Sequence, residues 1–158
     1  MSRDMYVGKK LPSFKLKTSD DNYLTEGSLI GKLKVIYIYP KNDTSGCTRE
    51  NLQYSEYIKE FKKLEITLFG LSKDSIESHK KFKKKHDIKI ELISDPKIQL
   101  ITDLGSWIKK SMYGKEYMGV ERSTFFIDKN NIIKEVWRKV KVNEHVNNVL
   151  KSCKEILN

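Results

Sequence analysis

The segment KVIYIYPKNDTSGCTRENL, residues 34–52, holds a strand, its stop, a loop and the start of a helix. Residues 34–39 are mostly β-branched and aromatic, the composition of a strand covered on both faces. Pro40 has no N–H to extend a ladder and ends the run. Residues 40–46 read as a loop. From near Cys47 onward, apolar side chains recur at Leu52, Tyr54, Tyr57, Ile58, Phe61 and Leu64, which places them along one side of a helix.

The same alternation continues downstream. Residues 66–71 (ITLFGL) form a second apolar strand, and Asp74 and Glu77 follow at N-cap and N3 spacing before a Lys-rich helix. Residues 88–93 predict a third strand. Asp95-Pro96 places a good N-cap before a proline at the first helical position, with Ile98, Ile101 and Leu104 as the buried stripe. Residues 105–120 carry Gly105, Gly114 and Gly119 among scattered aromatics and are expected to form a long, functional loop. Residues 124–127 and 132–137 flank Asp128-Lys129-Asn130-Asn131, a hairpin signal. Asn143 then caps a last helix whose stripe is Val146, Val149, Leu150, Cys153, Ile156 and Leu157. This order predicts an α/β three-layer sandwich with a mixed central sheet, in one domain over residues 1–158. In open sheets of this kind the site lies beyond the carboxyl ends of the strands, where Cys47 stands.

Composition narrows the classes. Hydrophobic residues are 38% and charged residues 33% of 158, which fits a folded chain with a well-solvated surface. No apolar run reaches the roughly 18 residues of a membrane span, and residues 1–10 lack the apolar stretch of a secretory signal. A cytoplasmic location is the expectation, with no membrane partner. Cys47 and Cys153 stand far apart, and with His79, His86 and His145 they form no recognisable metal-ligand spacing. No metal or other cofactor is expected.

The net charge of +10 leaves two readings open. Only Arg3, Arg49, Arg122 and Arg138 of the 31 basic residues are arginine, so a codon bias toward lysine explains the excess. The other reading is a nucleic-acid partner or, from the Lys-rich segment 80–85, a nuclear address. Such runs are more often the wet face of a helix.

A thiol reacts as its thiolate, and an ordinary cysteine is only a few per cent ionised at neutral pH. If Cys47 opens its helix, the free N–H groups of the first turn and the positive end of the dipole favour the anion. Unpaired cysteines are more often small buried hydrophobes. Here Ser45, Gly46, Thr48, Arg49 and Glu50 surround the residue with polar neighbours, which argues for a site.

The spacing of Pro40, Thr44 and Cys47 in YPKNDTSGCTRENL resembles the active-site loop of peroxiredoxins. KEYMGVERSTFFID, residues 115–128, is similar to the second signature of that family and puts Arg122 at the position of its active-site arginine. The likeness runs over nearly the whole chain and is strongest to the bacterioferritin comigratory, or Q-type, branch. It implies a thioredoxin-like fold and a thiol peroxidase that reduces hydrogen peroxide and organic hydroperoxides through a Cys47 sulfenic acid. It also implies that Arg122 steadies the thiolate and contacts peroxide oxygens, that Thr44 orients the O–O bond, and that Pro40 screens the sulfur. Glu50 either holds Arg122 in place or sits exposed like any first-turn glutamate.

Many Q-type members have a resolving cysteine five positions after the first, where this chain has Leu52. Recycling by an external thiol is therefore expected, from thioredoxin, glutaredoxin or glutathione. Cys153, in register with the apolar stripe of the last helix, is the remaining candidate for a resolving thiol and is read as structural. Monomer is the expected state. A Cys-x-x-Cys oxidoreductase is disfavoured because Glu50 stands three residues after Cys47. The alternative function is a basic nucleic-acid-associated protein of the same fold, with binding in place of or alongside peroxidase activity.

Overall fold

Side chains of residues 33–38 alternate between two cores. Val35 and Tyr37 enter one and Ile36 and Ile38 the other, as a pleated strand requires when both faces are covered. The computed structural model describes residues 4–158. In chain order it contains β1 (Lys15–Lys17), β2 (Tyr23–Thr25), β3 (Leu33–Ile38), α1 (Ser45–Glu56), α2 (Ile58–Lys63), β4 (Ile66–Ser72) and α3 (Ile76–His86). There follow β5 (Glu91–Ser94), α4 (Gln99–Asp103), β6 (Trp107–Met112), β7 (Lys115–Val120), β8 (Ser123–Ile127), β9 (Ile133–Trp137) and α5 (His145–Leu157).

The central sheet has the order β5-β4-β3-β8-β9. β3 pairs in parallel with β4 and antiparallel with β8, so the sheet is mixed, as expected. Tyr37, Tyr54, Phe61, Phe82, Val149 and Cys153 fill the layer under α1, α2, α3 and α5. Ile36, Phe69, Leu100, Leu104, Phe125 and Ile133 fill the opposite layer with α4. Tyr37 and Tyr54 stack with centroids 4.0 Å apart, and opposite Tyr37 in the ladder stands Gly70. A Cβ at Gly70 would come within 3.0 Å of the tyrosine ring, so glycine is what admits that ring.

Several local expectations need correction. Residues 105–120 are not a long loop: β6 and β7 form an antiparallel hairpin whose turn is Tyr113-Gly114, both with positive φ (52° and 77°). Asp74 is not the cap of α3; Ser75 is, accepting from the Ser78 N–H, while Asp74 accepts from the Asn42 N–H and the Ser72 hydroxyl. Asp95 does accept from the N–H groups of Gln99 and Ile101 at the start of α4, but across a turn, so Pro96 is not its first residue. Glu144, not Asn143, immediately precedes α5 and makes no side-chain cap.

Lys34 is fully buried at the start of β3, where its ammonium donates to the carbonyls of Leu29, Lys32 and Asp128 and to the side chain of Asn131. It ties β3 to the β8–β9 turn. Lys34→Met would remove all four of these hydrogen bonds and leave the Leu29 and Asp128 carbonyls only their backbone donors, the N–H groups of Lys32 and Asn131, so a loss of about 2–4 kcal/mol is expected in urea unfolding. A loss under about 0.5 kcal/mol would show that the oxygens find other donors.

Candidate active site

Thr44, extended at φ −88°, is the N-cap of α1, and the first helical bond runs from the Thr48 N–H to its carbonyl at 2.9 Å. The N–H groups of Ser45, Gly46 and Cys47 therefore have no intrahelical acceptor, and they gather where the dipole is positive. The helix starts two residues earlier than its apolar spacing indicated. Cys47 is third in it, and its side chain is only 1% exposed, inside the core with Val35, Tyr37 and Tyr54. Its polar sequence neighbours Ser45 and Arg49 turn outward, because successive residues on a helix point about 100° apart. On the inward face Cys47 is joined by Glu50, Asn51 and Tyr54, all fully buried.

Arg122, between β7 and β8, closes the site. Its Nη2 donates to Cys47 Sγ at 3.2 Å and its Nη1 to Glu50 Oε1 at 2.6 Å. Gly46 permits this approach: a Cβ there would stand 3.3 Å from Nη2. Glu50 is thus not an exposed first-turn residue but the anchor of the guanidinium. Burial pushes its carboxyl up to about 7 against the pull of Arg122, while Glu50 and Cys47 keep Arg122 charged. Glu50 Oε2 and the Tyr54 hydroxyl, one turn apart, have no hydrogen-bond partner among the described residues.

The raised Glu50 value has a measurable sign. A carboxyl with a folded value above its unfolded 4.5 holds its proton longer in the native state, so its contribution to stability is complete below pH 4.5 and lost as pH rises through about 7. Relative to wild type, Glu50→Gln should therefore gain about 3 kcal/mol in unfolding free energy between those pH values. A flat difference across that window would mean the carboxyl is ionised throughout.

Of the remaining expected residues, Thr44 caps the helix that carries Cys47 and Pro40 shares a cleft with Arg122. The exposed Thr44 hydroxyl donates to the Lys41 carbonyl at 2.9 Å, leaving its lone pairs free. Pro40, Ile108, Lys110, Arg122, Lys139 and Val140 line a cleft of about 330 Å³ with Glu121. Leu52 is exposed on the outer side of α1. Cys153 is fully buried on α5, and burial pushes its thiol up to about 12. Both cysteines are free.

Three supporting residues escape sequence reading. Asn51 accepts from the Tyr37 hydroxyl at 2.5 Å and donates to the Cys47 carbonyl at 2.9 Å, tying the turn that carries sulfur to β3. Asn42 accepts from the Tyr39 hydroxyl at 2.6 Å, and its amide reaches Ser78 and the ring of His79. His79, fully buried and held below the usual histidine range by desolvation, thereby fixes the loop after Pro40. The i to i+4 spacing of Cys47 and Asn51 was the one available signal.

The AhpC/TSA family profile matches residues 7–136. The putative peroxiredoxin bcp of Coxiella burnetii is 39% identical over 144 residues, covering 91% of this chain and 95% of that protein. Peroxiredoxin Bcp of Bacillus subtilis is also 39% identical, over 95% and 96% of the two chains. A structure of the Xanthomonas campestris bacterioferritin comigratory protein, 35% identical, superposes with a TM-score of 0.88 over 92% of each chain. Together with the thioredoxin-like sandwich and a buried cysteine under an arginine, these likenesses define a thiol-dependent peroxidase. The chain belongs to the AhpC/TSA family, in its peroxiredoxin Bcp/Q group.

Proposed function

We propose that Cys47 is the peroxidatic residue and that Arg122 is its activating and substrate-contacting cation. The observation that carries this reading is the bridge from Glu50 through Arg122 to sulfur, at 2.6 and 3.2 Å. A guanidinium fixed by a buried carboxylate spends no reorganisation to meet the thiolate or the charge that develops on oxygen. The thiolate attacks one peroxide oxygen, the O–O bond breaks, and the leaving oxygen takes a proton as water or alcohol. Cys47 is left as sulfenic acid. Thr44 orients the peroxide with its lone pairs, and Pro40 shields the sulfur. The X. campestris relative has been studied for alkyl peroxide reduction, which supports organic hydroperoxides as substrates here.

An external thiol then reduces the sulfenic acid. Cys153 is buried with its thiol pushed up to about 12, and Leu52 occupies the i+5 position. One equivalent of hydrogen peroxide added to the reduced protein, followed by dimedone trapping and peptide mapping, tests both statements. The expected product is a Cys47 adduct, with Cys153→Ser turning over normally. A rapid, quantitative Cys47–Cys153 disulfide would overturn the external-thiol route.

A nucleic-acid role has less support. In the basic run of α3, Lys80 pairs with Asp21, Lys83 with Asp20 and Lys85 with Asp43, so much of its charge is answered within the chain.

A further inference from the structure

The β6–β7 hairpin contributes Ile108 and Lys110 to the cleft lined by Pro40 and Arg122, and its two faces differ in charge. Cross-strand pairs put Ile108, Lys110, Met112, Lys115, Tyr117 and Gly119 on one face. The side chain of Lys110 lies across Gly119, with Cδ 3.1 Å from where a Cβ would stand, and the Tyr117 ring is 3.4 Å from the same point. This strip starts at Ile108 and Lys110, which line the cleft beside Arg122. It ends at Met112, 56% exposed, and at Tyr113 in the turn, 98% exposed. On the opposite face Lys109 is paired with Glu116 at 3.3 Å, whereas among the described residues Lys110 and Lys115 have no ion pair.

We propose that this strip is the docking surface for the reductant, a dithiol protein with an acidic, partly apolar face around its reactive cysteine. The inference rests on the external-thiol reading above. From Ile108 to Met112 the strip extends roughly 13 Å, more than a small thiol needs in order to reach Cys47. A second copy of this chain is a poor occupant, because in a two-fold interface the strip faces itself, and its charged side chains, Lys110 and Lys115, are both positive and find no acidic partner there. An acidic partner meets those lysines with opposite charge and covers Met112, Tyr113 and Tyr117. Its thiolate attacks the Cys47 sulfenic sulfur, giving a mixed disulfide and water. Its second thiol then attacks the partner's own sulfur, returning Cys47 as a thiol and leaving the partner oxidised as a disulfide.

The test compares two reductants on the full chain: an acidic thioredoxin kept reduced by its reductase, and dithiothreitol. Lys115→Glu and Tyr117→Ser should each lower thioredoxin-supported kcat/KM about tenfold and leave dithiothreitol-supported turnover within twofold. Lys109→Glu, the same charge change on the other face, should change neither by more than twofold. Equal losses in Lys109→Glu and Lys115→Glu, or failure of thioredoxin to recycle the wild type while dithiothreitol succeeds, would overturn the docking proposal and spare the peroxidase reading. Loss of duplex DNA binding in Lys115→Glu with unchanged thioredoxin kinetics would also overturn it. No turnover with either reductant would instead remove the peroxidase reading itself.

Discussion

Cys47→Ser is expected to bring peroxide consumption down to the rate of the buffer, with the fold unchanged. In the proposed reaction the Cys47 sulfur is the atom that is oxidised, and a serine hydroxyl cannot take its place as an electron donor to the O–O bond. The exchange is nearly isosteric in a side chain that is 1% exposed, so no cavity opens among Val35, Tyr37 and Tyr54. The new hydroxyl can accept from Arg122, whose Nη2 now stands 3.2 Å from sulfur, so no buried donor is orphaned. Thermal unfolding should shift by no more than a few degrees. Peroxide consumption with dithiothreitol and a melting curve on the same sample decide the matter. Retention of even a tenth of wild-type turnover by a folded variant would place the chemistry elsewhere.

The sequence made the sheet legible because β3, β4 and β8 are dense apolar runs, and periodicity reads such runs well. It failed at β6–β7, where the exposures of Met112, Tyr113, Tyr117 and Met118 leave no alternating buried face to detect. The turn there is Tyr113-Gly114, not the asparagine- or aspartate-glycine pair that announces a two-residue hairpin. Cys47 and Arg122 are 75 positions apart, and only the family resemblance joined them; their contact needs β3 and β8 to be neighbours, which the pairing order supplies. Glu50 remained ambiguous for a similar reason. A glutamate near the start of a helix is ordinarily exposed, whereas this one lies on the inward face of α1 with Cys47, Asn51 and Tyr54, and its charge is answered by an arginine 72 positions further along the chain. The inward face of α1 also confused the pattern, because Cys47, Glu50 and Asn51 occupy positions a simple amphipathic helix gives to leucine.

Arg122→Ala is expected to slow sulfenic acid formation by about 10²–10³-fold, the loss typical of removing one preorganised donor from developing charge. Two effects have to be separated. The substitution deletes the cation beside sulfur, and it strands Glu50, whose carboxyl is fully buried and whose Oε1 now accepts from Nη1 at 2.6 Å. An unpaired buried carboxylate costs several kcal/mol, so the single variant should also be less stable, most of all above pH 7 where Glu50 would have to ionise. Adding Glu50→Gln removes the stranded charge and should restore much of that stability without restoring the rate. Arg122→Lys keeps a positive charge but cannot span Glu50 and sulfur as a planar fork, so it should recover only part of the rate. Stopped-flow oxidation at pH 7.5, set beside urea unfolding of all three variants, separates the two contributions. A double variant that oxidises as fast as wild type would show that Arg122 serves only to balance Glu50 and that the thiolate draws its stabilisation from the N-terminus of α1 alone.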